Sequence, residues 1–420
     1  MTLALRLSQA GFDVTLFEAS TELGGLLRPM KIGSHTWDRF YHVILMSDTN
    51  TLALLDELGL KDKIKWGTTK TGFYTDGKLY SMSNAVEFLT FPPLGLVDKL
   101  RLGATIFYAS RIRNWESLEK VSVEEWLTKL SGKRTFEKIW LPLLKCKLGN
   151  RYREVNAAFI WATIARMYAA RKAGLKQEMF GYVAGGYSTV LGKFEEALKN
   201  RGVKVELATP VRTVERETGV EVRTDAATAA FDGVILTAPC GQTAQICPEL
   251  EENERARLSS VRYQGVVCAS YLLKNPLGGY YITNITDNAS FTAVIEMTAL
   301  VDKANFAGHS LVYLPLYTDK SDPIWAESDG KVDEMFFPAL QGMYSALSKD
   351  DVVATRICRA EDVMPVTTLN YSRELLPPMQ TSMKNVFIVN SAQIPNGTMN
   401  VNELVGHANR KAKEIEEIWK

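Results

Sequence analysis

The opening stretch MTLALRLSQAGFDVTLFE constrains the fold more than any other part of the chain. Leu3, Leu5, Leu7 and Ala10 give it an apolar face, with good helix formers between them. Gly11 stops that helix in the manner of a C-terminal cap glycine. Phe12-Asp13-Val14-Thr15-Leu16-Phe17 is then a short β-branched and aromatic run, suited to a buried parallel strand, and it ends in an acid, Glu18. A surface acid at a strand end is common, so Glu18 alone says little. Helix, glycine, strand and acid in this order, followed by Gly24-Gly25 in the turn-like TELGGLLRP, are far more specific.

That order is the second half of a β–α–β dinucleotide-binding unit. In such units the acid closing the second strand bonds ribose hydroxyls, about 20 residues after a glycine-rich turn. The strand and glycine turn of the first half are expected just before Met1. The expectation is therefore that Met1 is an internal methionine of a longer protein, and that the sheet shows an open central lane beside the Val14–Phe17 strand.

Composition narrows the class. A length of 420 residues favours two domains, and 46% apolar with 23% charged residues is ordinary for a globular protein. A net charge of +1 argues against nucleic acid as the main partner. No apolar run reaches spanning length, and the start lacks a basic region and a small-residue cleavage site. The five cysteines contain no CxxC pair, which points to reduced thiols and a cytoplasmic location. Four histidines with no HExxH or His/Cys cluster give no reason to expect a metal.

Further along, residues 47–60 and 84–130 are helix-rich, and 140–171 form another helical block. KLRLGATIFYASRIRNWESL is amphipathic and basic toward its end; packing within a domain is favoured over peripheral membrane contact. Gly185-Gly186 precedes a helix near 188–200, Gly202 ends it, and Val203–Leu207 alternates as a strand. Val211–Val214 and Val220–Val222 suggest a hairpin, and Asp232–Pro239 a buried strand stopped by proline. Val386–Val389 reads as a strand, Asn396-Gly397 as a turn, and a helix runs from Val401. A helix N-terminus beneath a redox ring would stabilise the anion formed on reduction. Glu403 and His407, four apart, read as a solvated pair rather than a catalytic one.

LSQAGFDVTLFEASTELGG resembles the N-terminal region of the FAD-dependent amine oxidase, protoporphyrinogen oxidase and phytoene desaturase superfamily. Trp37-Asp38-Arg39-Phe40-Tyr41-His42 is similar to that family's flavin-proximal stretch. The segment from Gly185 to Pro239 resembles its middle FAD segment over more than fifty residues, and Gly397-Thr398-Met399-Asn400 its closing motif. One departure stands out: Asn390-Ser391 occupies the place of a Gly-Asp pair.

The resemblance implies an α/β fold: a Rossmann-like FAD-binding domain, N-terminally truncated, interleaved with an α+β substrate domain. The FAD domain would comprise residues 1–46, 181–262 and 370–420, and the substrate domain 47–180 and 263–369. It implies FAD contacts from Glu18, Gly24, Gly25, Arg28, Asp38, Arg39, Val211, Asn390, Ser391, Thr398, Met399 and Asn400. Tyr41, His42 and Tyr182 become candidates for the flavin front. The implied reaction is hydride transfer from a C–N or C–C bond of a small molecule to flavin N5, with oxygen or another acceptor reoxidising the flavin. Two alternatives share the fold. One is a flavin isomerase similar to UDP-galactopyranose mutase, with Arg151, Arg153, Arg166 and Arg171 for the diphosphate. The other is a non-catalytic or FAD-deficient binding protein, of the kind represented by Rab GDP-dissociation inhibitors.

Overall fold

The computed structural model describes residues 1–172, 179–216, 219–396 and 399–420. The opening helix is Thr2–Gln9, and Gly11 leaves it at φ +94°. The chain then enters the strand Thr15–Phe17, which pairs in parallel with Lys204–Glu206. A second parallel pair joins Val234–Leu236 to Val386–Ile388. The two pairs are separate sheets with no hydrogen bonds between them. The helix Gly186–Asn200 leads into Lys204–Glu206, and the closing helix Val401–Trp419 follows Val386–Ile388.

The opening and closing helices run parallel. Met1, Leu5, Val401 and Val405 share one apolar cluster at one end. At the other end Phe12 and Trp419 stack with centroids 5.5 Å apart. Trp419 also packs on Phe387 and crowds Gly233, just before Val234–Leu236 begins. The helix N-termini therefore lie at the carboxyl ends of the strands, where open α/β sheets place their ligands.

A seven-stranded sheet dominates the rest of the molecule, in the order Val352–Pro365, Tyr263–Leu273, Ser310–Thr318, Ala293–Glu296, Ile282–Ile285, Thr71–Thr75, Lys78–Ser81. Every pairing is antiparallel except Ile282–Ile285 with Thr71–Thr75. Tyr263–Leu273 is buried along its whole length, as a central strand covered on both faces must be. One face carries Tyr271, Phe291, Phe336 and Leu340, and the other Trp37, Cys268, Ile295 and Tyr313.

A helical layer sits beside this sheet. Leu96–Ala109, Val123–Ser131, Leu141–Leu148 and Ala157–Lys172 pack around Leu102, Leu127, Leu144 and Ile160. In Leu96–Ala109 the face bearing Leu102, Thr105 and Ala109 is buried, while Leu96, Val97, Leu100, Phe107 and Tyr108 are exposed. The helix packs by one face, as its periodicity requires, and keeps a second apolar face outward. Leu54, Leu55, Leu58 and Leu60 share a core with Ala4, Leu5 and Val190, so residues 49–60 pack beside the opening helix. Among the described residues no helix is long and apolar enough to cross a membrane, and no cluster of His, Cys, Asp and Glu could hold a metal.

Candidate functional site

The strand Thr15–Phe17 ends at Glu18, whose backbone N–H continues the ladder to Glu206 O at 2.9 Å. The Glu18 carboxylate accepts from Ser20 N–H at 2.8 Å, and its charge reaches the amine of Met1. Burial lowers that amine's pKa to about 6, and Glu18 opposes the shift. An acid therefore sits beside the N-terminus of the opening helix.

Gly24 and Gly25 follow, with φ +111° and +55°. At φ +111° the backbone favours glycine, and a Cβ on Gly24 would also crowd Leu191 of the Gly186–Asn200 helix at 2.6 Å. Arg28 folds back, its Nε donating to Gly25 O at 3.2 Å. The hairpin Pro29–Ile32 and His35–Asp38 then brings Asp38 to the start of the same helix. There the backbone N–H of Tyr187 donates to Asp38 Oδ1 at 2.8 Å. Burial raises the Asp38 pKa to about 7, against the lowering effect of the Tyr187 N–H.

The loop after Asp38 carries the next groups. Arg39 lies beside the Phe40 ring and donates to Arg359 O at 3.4 Å. His42 shares a 2.9 Å hydrogen bond between Nδ1 and Phe40 O, and its ring meets Tyr187 edge-on at 5.3 Å. Burial holds its pKa down to about 4, so the ring is neutral near pH 7. The Tyr41 hydroxyl lies 3.3 Å from that of Tyr317 and accepts from Lys147 Nζ at 3.0 Å. Burial pushes the Tyr41 pKa far up and keeps the phenol protonated.

The closing segment supplies the other side. Asn400 caps the Val401–Trp419 helix, its side chain accepting from Glu403 N–H at 3.0 Å. Met399 packs against the helical layer that contains Leu144 and Ile160. Thr398 and Gly397 lie outside the described residues. Asn390 is buried, and its amide is committed to the protein. It donates to Ala238 O at 2.9 Å and accepts from Ala392 N–H at 3.0 Å, tying together the carboxyl ends of the paired strands. Ser391 opens the turn Ser391–Gln393 and is half-buried. Val211 begins the strand Val211–Arg216, at a register shift against Val220–Thr224.

Several expectations meet a different arrangement. Tyr182 does not join Tyr41 and His42 in a hydrogen-bonded group; its hydroxyl accepts from Asp302 N–H at 3.4 Å and its ring leans toward Trp37. His407 is buried rather than solvated, and it bonds Gln393 Oε1 at 3.0 Å instead of pairing with Glu403. The turn Ser391–Gln393 folds onto the helix and covers the imidazole. Among the arginines considered for a diphosphate, Arg151 pairs with Asp319 and Glu154, and Arg166 with buried Asp48. Arg153 lies against its neighbour Tyr152, and the side chain of Arg171 is outside the described residues. A cleft of about 530 Å³ between Pro239, Gln242, Trp325, Arg359 and Asp362 contains none of the residues expected to contact the cofactor or the substrate.

Lys147, Tyr187, Tyr317 and Asn402 escaped the sequence reading. Asn402 Oδ1 accepts from Asn50 N–H at 2.8 Å and Thr51 N–H at 3.2 Å, linking the start of the closing helix to that of Thr49–Glu57. Each of these contacts joins residues far apart in the chain. The one local sign was Lys147, which with Lys145 interrupts the apolar run Leu141–Leu148.

The arrangement fits a flavin dinucleotide. Two parallel helix N-termini stand at the strand carboxyl ends, where partial positive charge suits a pyrophosphate or a reduced flavin ring. The Gly24-Gly25 turn allows close backbone approach, and Glu18 stands where a ribose acid is required.

Comparison with known proteins agrees. The family model described as flavin containing amine oxidoreductase matches residues 1–401. A coproporphyrinogen III oxidase of Mycobacterium leprae is 25% identical over 283 residues, covering 62% of this chain and 62% of that protein. The chain thus matches less than two thirds of that relative's length. A proposed protoporphyrinogen oxidase from Exiguobacterium sp. 255-15 superposes with a TM-score of 0.78 at 17% identity, over 99% of this chain and 96% of the other. Cyclohexylamine oxidase from Brevibacterium oxydans IH-35A superposes with a TM-score of 0.72 at 14% identity, over 100% and 96%. The family implies a flavin cofactor and an oxidoreductase activity. The chain belongs to the flavin containing amine oxidoreductase family.

Proposed function

We propose that this protein binds FAD and oxidises a small molecule at a C–N or C–C bond. The observation that carries the reading is the joint placement of two helix N-termini, Glu18 and the Gly24-Gly25 turn at one edge of the parallel strands. When bound, FAD accepts the hydride equivalent and passes its electrons to oxygen or another acceptor.

The chain's own residues bind and orient. Glu18 offers a carboxylate to ribose hydroxyls, and the opening helix offers free N–H groups to phosphate. Gly24 and Gly25 keep the backbone close to the ligand, and Arg28 and Arg39 bring positive charge near the same turn. Asn400 fixes the first turn of Val401–Trp419, whose N–H groups and dipole would hold the pyrimidine end of a bound flavin. Val211 presents backbone to the adenine side. Asn390 and Ser391 act by holding the strand ends, since the Asn390 amide is spent on Ala238 and Ala392.

Neutral His42 and protonated Tyr41 line the substrate side, where they offer hydrogen bonds. The names of two similar proteins, coproporphyrinogen III oxidase and cyclohexylamine oxidase, motivate a porphyrinogen or an amine as the substrate classes to try. The test is anaerobic mixing of the flavin-loaded protein with coproporphyrinogen III, cyclohexylamine and putrescine, following the flavin's visible absorption. Bleaching by one of them supports the reading. An unchanged spectrum with all three, from protein shown to hold flavin, contradicts this substrate range.

A further inference from the structure

We propose that Lys147, Tyr41 and Tyr317 form an anion subsite that takes a carboxylate of the substrate; this rests on the reading of Tyr41 and His42 as the substrate side. The three groups arrive from separate elements. Tyr41 is on the loop after His35–Asp38, Lys147 is in the helix Leu141–Leu148, and Tyr317 is in the strand Ser310–Thr318.

A count of donors shows what the cluster lacks. An ammonium has three N–H donors and a phenol has one O–H. Lys147 Nζ donates to Tyr41 OH at 3.0 Å and to Tyr317 OH at 3.3 Å. The two hydroxyls are 3.3 Å apart, so one donates to the other. One ammonium N–H and one phenol O–H remain unspent, and a carboxylate has two oxygens to receive them.

The charge is unmatched as well. Among the described residues Lys147 makes no ion pair. Asp38, the buried carboxyl on the neighbouring loop, is engaged by Tyr187 N–H and likewise forms no ion pair. What surrounds the ammonium is aromatic: Nζ stands 5.2 Å from the Tyr41 ring centroid and 4.9 Å from that of Tyr317. Ring faces and phenol oxygens stabilise a cation only in part, and an ammonium among dense packing is costly until it is paired. Burial lowers the Lys147 pKa, but the neighbouring Tyr317 and Cys146 outweigh it and the net direction is up, so the group is charged. Tyr41, His42 and Lys147 all lie deep in the molecule, yet each keeps part of its surface accessible. The exposed part of each is where a ligand would reach it.

The experiment compares two probes of one shape, 3-phenylpropionate and 3-phenylpropanamide, titrated calorimetrically into the full chain with and without FAD. Wild type is expected to bind the carboxylate at least ~10-fold more tightly than the amide, the usual advantage of a charge-assisted bond. Lys147→Met should erase that preference while keeping the affinity for the amide. Tyr317→Phe, which keeps the ring, should reduce the preference part of the way and serves if Lys147→Met does not fold. Equal affinities in wild type, no binding of either probe, or a preference that survives Lys147→Met would overturn the proposal. Because the flavin-free arm is read separately, failure to take up FAD leaves this result interpretable.

Discussion

The backbone N–H of Tyr187 donates to Asp38 Oδ1 at 2.8 Å, joining the first turn of one helix to the end of a hairpin almost 150 residues earlier in the chain. A Cβ at Gly186 would fall 2.8 Å from the same oxygen, so the contact depends on glycine at that position. Burial among Tyr187, Tyr281 and Tyr313 raises the Asp38 pKa to about 7.

The consequence is a stability that falls as pH rises. The folded state holds the Asp38 proton up to about pH 7, whereas the unfolded chain releases it near 3.8. Across that window the native state binds more protons, and stability declines by up to ~4 kcal/mol. Asp38→Asn keeps an acceptor for Tyr187 and removes the titration. Its melting temperature should exceed that of wild type at pH 8 and match it near pH 4.

Two histidines act in the opposite sense. Burial first, then the Lys147 charge, holds His42 neutral with a pKa of about 4. Burial first, then Lys411 and Arg410, does the same for His407. Their contribution is complete above pH 6.5 and is lost as pH falls toward 4. Asp38 gains across that whole range, so wild type shows a shallower slope than the histidines alone would give. Asp38→Asn should expose a steep acid loss, and adding His407→Gln should flatten it again; thermal melts from pH 4 to 8 read all three.

Gly24 and Gly11 separate strain from crowding. Gly11→Ala meets open space at φ +94° and should cost ~1 kcal/mol. Gly24→Ala adds a clash with Leu191 at 2.6 Å and should cost ~2–4 kcal/mol, with weaker flavin retention. Urea unfolding measures the difference; equal losses would show that the Leu191 contact yields freely.

The Arg166–Asp48 pair closes at 2.7 Å, and Asp48 is 5% exposed at its side chain. Asp48 also accepts from Leu45 N–H at 2.9 Å, so its charge is fixed in place. Arg166→Met strands a buried carboxylate and should cost ~3–5 kcal/mol, whereas the double change with Asp48→Asn should recover part of the loss.

Local signals explain which parts of the fold were legible. Gly11, Gly202 and Pro239 act on their immediate neighbours, and the strand and helix edges beside them fall within a few residues of where the sequence puts them. A sheet in the second half of the substrate domain was legible, but its strand order was not, because it pairs Thr71–Thr75 with Ile282–Ile285, more than 200 residues apart, and period-2 patterning carries no partner identity. The same limit hid Lys147 and Tyr317, and it made His407 look solvated. Nothing near His407 in sequence shows that Gln393 folds over it. Asn390 was legible as a departure from the family pattern. Its purpose emerged only when Ala238 and Ala392 were seen to use its amide.

The most direct test of the account is flavin uptake. The purified chain is incubated with FAD, passed through a desalting column, and its visible spectrum is compared with its protein absorbance. The account predicts close to one FAD retained per chain, with Asn400→Ala and Gly24→Ala retaining less. A colourless eluate at saturating FAD, from protein that is folded by circular dichroism, would contradict it.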